Sequence, residues 1–265
     1  MKFGYCFTDF PSRMRQGGTY ILKCLSFIVT DTSAGDMIFD TGSPTDNATL
    51  LSFLTEMGSS ADRIKWVFNT HVHPDHAGGN TLFPNATVVL SKRDYEFSVG
   101  MAEAAYQPES MLPYLFEHCP GYKYSSDEFE AEATRYYIKH YWSPEKIGVT
   151  DKTPHAFIED NPKLPSFVKP IFSPGHTFGH YGFEILGLGR PVLISGDAVS
   201  NRFILKEDHQ YRMNEPHMDF DAYFASMELF RRDRALIIPS HDRPFFLDTE
   251  KTIRKSVFDE QAINI

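Results

Sequence analysis

The strongest chemical signal in the sequence is a run of metal-binding side chain types, Thr70-His71-Val72-His73-Pro74-Asp75-His76. Imidazole nitrogens and carboxylate oxygens are ligands that suit zinc and its first-row neighbours. His71 and His73 alternate as strand residues do, so both can point the same way and share one metal. Asp75 and His76 follow where the chain turns, and they can face a second metal. Because histidine is an uncommon residue, this spacing favours a metal site over a chance cluster.

Three later segments share one pattern, in which an apolar strand ends and a turn presents a side chain of the kind that binds metals. These side chains are His176 in Ser173-Pro174-Gly175-His176, Asp197 in Ser195-Gly196-Asp197, and His241 in Pro239-Ser240-His241. Ligands at the C-terminal ends of neighbouring strands converge on one rim, and rigid strand ends hold them in place. The sequence therefore predicts that these residues complete the site begun by the histidine run.

The elements that must position these residues are predicted from apolar runs and turn signals. The predicted strands cover residues 25–30, 37–39, 64–68, 86–90, 166–172, 182–188, 191–195 and 235–239. Helices are predicted after Asp40-Thr41-Gly42, after Ser91 as N-cap with Asp94 in the capping-box position, and over about 220–232 with Asp219 or Asp221 as cap. Strands that first pair and then alternate with helices, twice over, indicate two sheets packed face to face with helices outside. We predict an α/β (α+β) fold of the four-layer αββα type.

The 265 residues are expected to form a single domain, residues 1–265, with an insertion at about 101–165. This stretch is rich in Tyr, Phe, Glu and Pro, and its periodicity is weak. We interpret it as a largely helical segment over one face of the domain. It serves as a lid, as a dimer contact between two copies of the chain, or as an ordinary packed subdomain, and the sequence does not separate these readings.

Composition and charge limit the expected partners and the compartment. The formal net charge is −9 without a basic cluster, so nucleic acid is not expected to bind. The first residues lack an apolar core long enough for a signal peptide, and no stretch approaches the ~20 apolar residues needed to span a bilayer, so neither secretion nor membrane insertion is expected. Cys6, Cys24 and Cys119 do not form a disulfide framework, and none is near the histidine run in sequence, so none is an evident ligand. We expect reduced thiols in a cytoplasmic protein.

The order H-x-H-x-D-H, P-G-H-T-x-G-H, G-D and S-H-D resembles the metallo-β-lactamase superfamily, over roughly Leu25 to Asp242 without the insertion. This resemblance implies a four-layer αββα sandwich of the metallo-β-lactamase type and two divalent metal ions, zinc first, with manganese, iron or cobalt as alternatives. The ligand sets it implies are His71, His73 and His176 for one metal and Asp75, His76 and His241 for the other, with Asp197 bridging them. It also implies that Asp40 orients the ligand loop without binding metal.

Three further residues are expected to lie near the ligands without binding metal. His180 follows His176 by four residues, but the seven ligands are complete without it, so we expect a structural histidine bonded to backbone. Ser200 lies three residues after Asp197, where acyl-homoserine lactonases commonly place a tyrosine that contacts the substrate carbonyl. A serine hydroxyl is too short for that contact, so this position departs from the lactonase pattern. Asp242 is expected to be salt-bridged or to support the ligands.

Within the superfamily the sequence is most similar in look to the N-acyl-homoserine lactonases, which degrade quorum signals (quorum quenching). Ala77-Gly78-Gly79-Asn80 and the Leu90–Glu96 segment carry this likeness. The implied enzyme is a dinuclear metallohydrolase acting on an ester bond, in which a bridging hydroxide opens a lactone. Asp75 and Asp197 are the expected catalytic carboxylates, with Asp75 orienting the hydroxide or passing its proton to the leaving group. The expected partner is a small-molecule lactone or ester.

Alternative activities use the same ligands. A thioesterase or an aryl or alkyl esterase of this fold needs the same metal chemistry, and the sequence does not separate them from a lactonase. A di-iron redox enzyme is less favoured, because flavin-linked members of the superfamily typically have a carboxylate at the position of His73.

Overall fold

A computed structural model of the chain has two β-sheets at its centre. The structure describes residues 1–13, 19–107, 113–114, 117, 140, 143–150, 152–205, 219–248, 253–254 and 262–263. The strands in chain order are β1 (Lys2–Arg13), β2 (Thr19–Thr30), β3 (Asp36–Phe39), β4 (Ile64–Phe68), β5 (Thr87–Leu90), β6 (His155–Phe157), β7 (Val168–Phe172), β8 (Tyr181–Ile185), β9 (Val192–Gly196), β10 (Leu236–Pro239), β11 (Phe245–Leu247), β12 (Ile253–Arg254) and β13 (Ala262–Ile263).

The first sheet has the strand order β13-β1-β2-β3-β4-β5-β6. Strands β1 and β2 form a long antiparallel hairpin whose register runs from Lys2 opposite Thr30 to Arg13 opposite Thr19. Strands β3, β4, β5 and β6 pair in parallel. Their carboxyl ends therefore lie at one edge of the layer, which is the edge where the histidine run leaves β4.

The second sheet has the order β12-β11-β10-β9-β8-β7. Strands β7, β8 and β9 are antiparallel neighbours, whereas β9 and β10 run in parallel. Asp197 follows β9 directly, and His241 lies two residues after β10. Because β9 and β10 are adjacent and parallel, their carboxyl ends deliver these two side chains to the same place.

Aromatic side chains fill the space between the two sheets. Phe39 and Phe68 of the first sheet stack with ring centroids 4.9 Å apart. Phe183 of the second sheet packs against both rings, at 5.4 Å from Phe39 and 5.3 Å from Phe68. All three side chains are buried. Burial of this apolar area holds the sheets face to face, since close-packed aromatic rings contribute both transfer free energy and favourable ring contacts.

Helices cover the outer face of each sheet. They are α1 (Asn47–Glu56), α2 (Pro74–Ala77), α3 (Lys92–Tyr106) and α4 (Phe220–Glu228). Leu50 and Leu54 of α1 join a cluster with Ile28 on the outer face of the first sheet, while Phe27, the strand neighbour of Ile28, faces the inner core. Residues of α4 form the equivalent cluster outside the second sheet. The predicted four-layer αββα sandwich is confirmed.

Element boundaries differ from the predicted ones in places. The helix predicted over 220–232 begins after Asp219, whose side chain accepts a hydrogen bond from the Ala222 amide, but it ends at Glu228. Ser91 is the N-cap of α3 and accepts a hydrogen bond from the Asp94 amide. The Asp94 carboxylate does not complete a capping box. It accepts hydrogen bonds from the Thr177 hydroxyl and the Gly179 amide, in the loop that carries His176.

About half of the predicted insertion at 101–165 lies outside the described residues, so its role as lid or dimer contact stays a prediction. At its start, the described residues 101–106 continue α3. Within the parts of the chain that the structure describes, no helix combines the length and apolar character required to cross a bilayer.

We predict that Phe183→Ala lowers the free energy of unfolding by about 3–5 kcal/mol, because it opens a cavity between the sheets. Denaturant titration of the purified variant measures this change. Phe172→Ala is the matched control in the same sheet, since the Phe172 side chain is 42% exposed, and it should cost about 1 kcal/mol or less. Equal losses in the two variants would contradict the account of the core.

Candidate metal centre

The histidine run occupies the loop between β4 and α2. His73 precedes α2 as its N-cap, and Pro74 begins the helix, where its missing amide proton costs nothing. This short helix turns the chain, so Asp75 and His76 point in a different direction from His71 and His73. His71 and His76 are buried, and His73 is partly buried. The run therefore supplies two separate pairs of ligand atoms from six consecutive positions.

The first ligand cluster contains three imidazoles. His73 Nδ1 lies 2.9 Å from His71 Nε2 and 3.1 Å from His176 Nε2. Burial, followed by the charges of neighbouring imidazoles, lowers the pKa of His71 well below its usual range and that of His73 to about 3. The ligand nitrogens of these three rings all lie within 4.8 Å of one another, so this cluster could hold a metal ion.

The second ligand cluster mixes imidazoles and carboxylates. His76 Nε2 lies 3.4 Å from Asp75 Oδ2, and His241 Nε2 lies 3.7 Å from the same oxygen. Burial opposes protonation of both rings, but the charges of Asp75 and Asp197 outweigh it. The pKa of His76 is consequently held well above its usual range, and that of His241 is raised to about 10. The anionic field that raises these values is the field that attracts a cation.

Asp197 lies between the two clusters and faces each with a different oxygen. Its Oδ2 is 3.0 Å from His176 Nε2 and 4.0 Å from His71 Nε2. Its Oδ1 is 3.3 Å from His241 Nε2 and 3.5 Å from His76 Nε2. The carboxylate is buried, and the surrounding imidazoles hold its pKa well below the usual range despite that burial. One carboxylate placed in this way can ligate two cations at once.

One observation in the structure supports a divalent cation among these residues. His76 Nε2 is buried and has no hydrogen-bond partner in the described part of the chain, although it points between Asp75 and Asp197. A buried polar atom without a partner costs about 1–3 kcal/mol. A cation at this position would take the nitrogen lone pair and two carboxylate oxygens together.

Asp40 fixes the ligand loop at the end of β3. Its Oδ1 accepts a hydrogen bond from the Thr70 amide, and its Oδ2 accepts from the Thr70 hydroxyl, each at 2.8 Å. Oδ2 also lies 2.9 Å from His76 Nδ1, so an Nδ1 proton is held there and Nε2 is left for the cluster. Asp40 adopts a φ of 54°, a conformation disfavoured for a non-glycine residue. These contacts place Asp40 as a support of the loop rather than at the ligand cluster.

Asp94 supports the loop that carries His176. Its two carboxylate oxygens accept hydrogen bonds from the Thr177 hydroxyl at 2.6 Å and from the Gly179 amide at 2.7 Å. Burial raises the pKa of Asp94 to about 6, partly offset by these hydrogen bonds. The sequence does not predict this role, because the capping-box spacing of Asp94 points to a local contact at the helix end.

His180 and Ser173 hold the Asp197 backbone. His180 Nε2 accepts a hydrogen bond from the Asp197 amide at 3.1 Å, and the ring Nδ1 lies 2.8 Å from Ser173 Oγ. Burial lowers the pKa of His180 to about 3, so the ring is neutral. Asp197 follows Gly196, whose φ is 50° and where an added Cβ would lie 2.6 Å from Thr70 Oγ1. Glycine therefore allows β9 to end against the histidine loop.

The late His241 segment is tied to β2. His241 Nδ1 lies 2.8 Å from the Lys23 carbonyl oxygen, so a proton there is donated to that carbonyl and Nε2 faces the cluster. The Ser240 hydroxyl donates a hydrogen bond to Asp197 Oδ1. Ser200 is buried, and its carbonyl accepts a hydrogen bond from the His241 amide at 2.8 Å. The Asp242 carboxylate forms an ion pair with Arg202, as predicted.

Cys24 is a second residue near the site, after Asp94, that the sequence did not predict. Its Sγ lies 3.7 Å from Asp75 Oδ2, and the side chain is fully buried. Burial and the nearby Asp75 charge raise the pKa of the thiol above its usual range. From the sequence none of the three cysteines was an evident ligand, but the fold places Cys24 beside Asp75. The sequence does not predict this contact, since hydrogen bonds of Lys23 and Leu25 to the Ser240-His241 turn, not chain neighbourhood, bring β2 to the cluster.

Comparison with known proteins gives the family. A model described as the metallo-beta-lactamase superfamily matches residues 20–241. The chain belongs to this superfamily, and the resemblance seen in the sequence motifs is confirmed. A protein named N-acyl homoserine lactonase from Bacillus thuringiensis is 22% identical over 217 residues, which cover 82% of this chain and 68% of that protein.

Solved structures share the fold. AidC, described as a dizinc quorum-quenching lactonase, superposes with a TM-score of 0.59 and 20% identity, over 98% of this chain and 90% of that chain. An N-acyl homoserine lactone hydrolase with N-hexanoyl-L-homoserine bound at its catalytic metal centre gives a TM-score of 0.57 and 19% identity, over 91% and 93%. At such identities the likeness establishes the fold alone.

We predict that Asp40→Asn weakens zinc binding roughly 10–100-fold, because the amide cannot accept the His76 Nδ1 proton while it also satisfies Thr70. Competition with a chromophoric chelator measures the affinity. Asp31→Asn is the control, since Asp31 also has a positive φ but has an exposed side chain paired with Lys2. Unchanged zinc affinity in Asp40→Asn would refute the supporting role.

Proposed function

We propose that this protein is a dinuclear metal-dependent hydrolase that opens lactones, with acyl-homoserine lactones as the first substrate class. His71, His73 and His176 would hold one divalent cation, and Asp75, His76 and His241 the other, with Asp197 shared between them. Zinc is the first candidate for both positions, because the ligands are imidazoles and carboxylates.

The position of Asp197 is the observation that carries this proposal. Its two oxygens face two different groups of imidazole nitrogens, at 3.0 Å and 3.3 Å for the nearest atom of each group. A mononuclear site needs only one of these groups. Two groups that share a buried carboxylate support a pair of cations, the arrangement used for hydrolysis of esters and related bonds.

Bound cations would polarise the substrate carbonyl and lower the pKa of the attacking water towards neutrality. The chain supplies proton handling beside them. Asp75 is 12% exposed, at the accessible side of the cluster, so its carboxylate can accept a proton from water and return it to the ring oxygen as the acyl–oxygen bond breaks. The new bond joins the water oxygen to the carbonyl carbon, and the product is a hydroxy acid.

The lactone class is supported by the names of relatives, several of which are called N-acyl homoserine lactonase. Ser200 is the observation that favours a second candidate, an aryl or alkyl esterase or a thioesterase. Its side chain is fully buried, so this position offers no group long enough to reach a substrate carbonyl. A substrate that needs no contact from position 200, such as an activated ester, would be hydrolysed equally well.

A substrate panel tests the proposal. The zinc-loaded protein is assayed on acyl-homoserine lactones, aromatic lactones, aryl esters and glutathione thioesters, with kcat/KM as the readout. We expect the highest value for a lactone, a loss of roughly 100-fold or more on chelation, and recovery when zinc is returned. Faster turnover of a glutathione thioester than of any lactone would overturn the lactonase assignment, and full activity after metal removal would overturn the hydrolytic mechanism.

Asp197→Asn provides the matched test of the shared carboxylate. We expect kcat/KM to fall at least roughly 100-fold and the zinc content to fall below that of the wild type. Asp160→Asn, at an exposed position, is the control and should keep both values.

A further inference from the structure

Cys24 belongs to a third group of ligand-type atoms at the site. Its Sγ, one oxygen of Asp75 and one nitrogen of His241 all lie within 4.8 Å of one another. Cys24 is on β2, in the hairpin of the first sheet, opposite Thr8 of β1. The group therefore combines residues from three distant parts of the chain.

The surroundings of Cys24 differ from those of an ordinary buried cysteine. Cys6, on β1, packs in the apolar cluster beneath α1. Cys24 belongs to none of the three apolar clusters formed by the described residues. Its thiol instead lies within hydrogen-bond distance of two acceptors, Asp75 Oδ2 and the Leu22 carbonyl oxygen, each 3.7 Å from Sγ. A cation held by Asp75 could take the place of the thiol proton.

The backbone on both sides of Cys24 is fixed to the metal-binding segment. The Lys23 carbonyl oxygen lies 2.8 Å from His241 Nδ1, and the Leu25 amide donates a hydrogen bond to the Ser240 carbonyl at 2.7 Å. Two contacts that flank one residue hold its Cα at a set distance from the cluster. The position of the Cys24 thiol is therefore fixed relative to His241 by these two hydrogen bonds.

Distances favour coordination. A sulfur at about 2.3 Å and an oxygen at about 2.1 Å from one zinc ion are separated by roughly 3.6 Å at a tetrahedral angle. The observed separation of Cys24 Sγ from Asp75 Oδ2 is 3.7 Å. His76 Nε2, the buried nitrogen without a hydrogen-bond partner, lies 3.4 Å from the same oxygen and points independently to a cation at this position.

We propose that Cys24 is a sulfur ligand of the cation held by Asp75, His76 and His241. This inference rests on the dinuclear centre put forward as the proposed function. A coordinated thiol loses its proton, and the resulting thiolate is a softer ligand than imidazole or carboxylate. The second position would then favour zinc, cobalt and cadmium over manganese, and the two positions would differ in the metals that they prefer.

Cobalt spectroscopy tests this assignment without relying on turnover. Cobalt(II) bound to a thiolate gives an intense near-ultraviolet charge-transfer band that nitrogen and oxygen ligands do not produce. We expect this band in the cobalt-loaded wild type and in Cys6→Ser, and its loss in Cys24→Ser together with a roughly 10–100-fold weaker affinity at one of two positions. Cys6→Ser is the matched control, since Cys6 is equally buried on the neighbouring strand.

Zinc K-edge absorption on the wild type gives a second reading that does not require the variant to fold. It should show a sulfur neighbour at about 2.3 Å. Two bound cobalt ions without the charge-transfer band, or a band that persists in Cys24→Ser, would overturn the role of Cys24 and leave the dinuclear centre intact. Failure to bind cobalt at all would overturn both the centre and this inference.

Discussion

A buried carboxylate surrounded by imidazoles is the feature on which the rest of the structure depends. Asp197 is removed from water, and an ionised carboxylate there is tolerated only when opposite charge or ligand bonds compensate its desolvation. Without cations the compensation comes from the surrounding imidazoles, and the charges of Asp75 and Asp197 in turn raise the pKa values of His76 and His241. With cations the same atoms would become ligands. The site is thus constructed to hold positive charge, and the two clusters on either side of Asp197 set where that charge lies.

The fold delivers these groups through strand ends. The parallel strands β3 and β4 end at Asp40 and at the histidine loop, and the parallel strands β9 and β10 end at Asp197 and His241. The aromatic core around Phe183 fixes the distance between the sheets, so the two sets of ligands meet at the seam. Residues that never reach the cluster, such as Asp94 and His180, set the angle at which each ligand enters.

What the sequence could predict depended on how local the signal was. The histidine run is contiguous, and His176, Asp197 and His241 each follow an apolar strand, so local patterns predict these residues as ligands. The alternation of strands and helices likewise predicts the four layers. The contacts of Cys24 and Asp94 with the site could not be predicted, because each residue contacts a segment at least fifty residues away in the chain. Hydrogen bonds between β2 and the Ser240-His241 turn, and the hydrogen bonds of Asp94 to the His176 loop, create these contacts. The local sequence around Cys24 or Asp94 contains no pattern that predicts these long-range contacts.

The central claim is that two cations lie on either side of Asp197. Anomalous diffraction at the zinc edge, from crystals grown with zinc, measures this directly. We expect two peaks, one among His71, His73 and His176 and the other among Asp75, His76 and His241. One oxygen of Asp197 should face each peak. A single peak, or two peaks with Asp197 turned away from either, would contradict it.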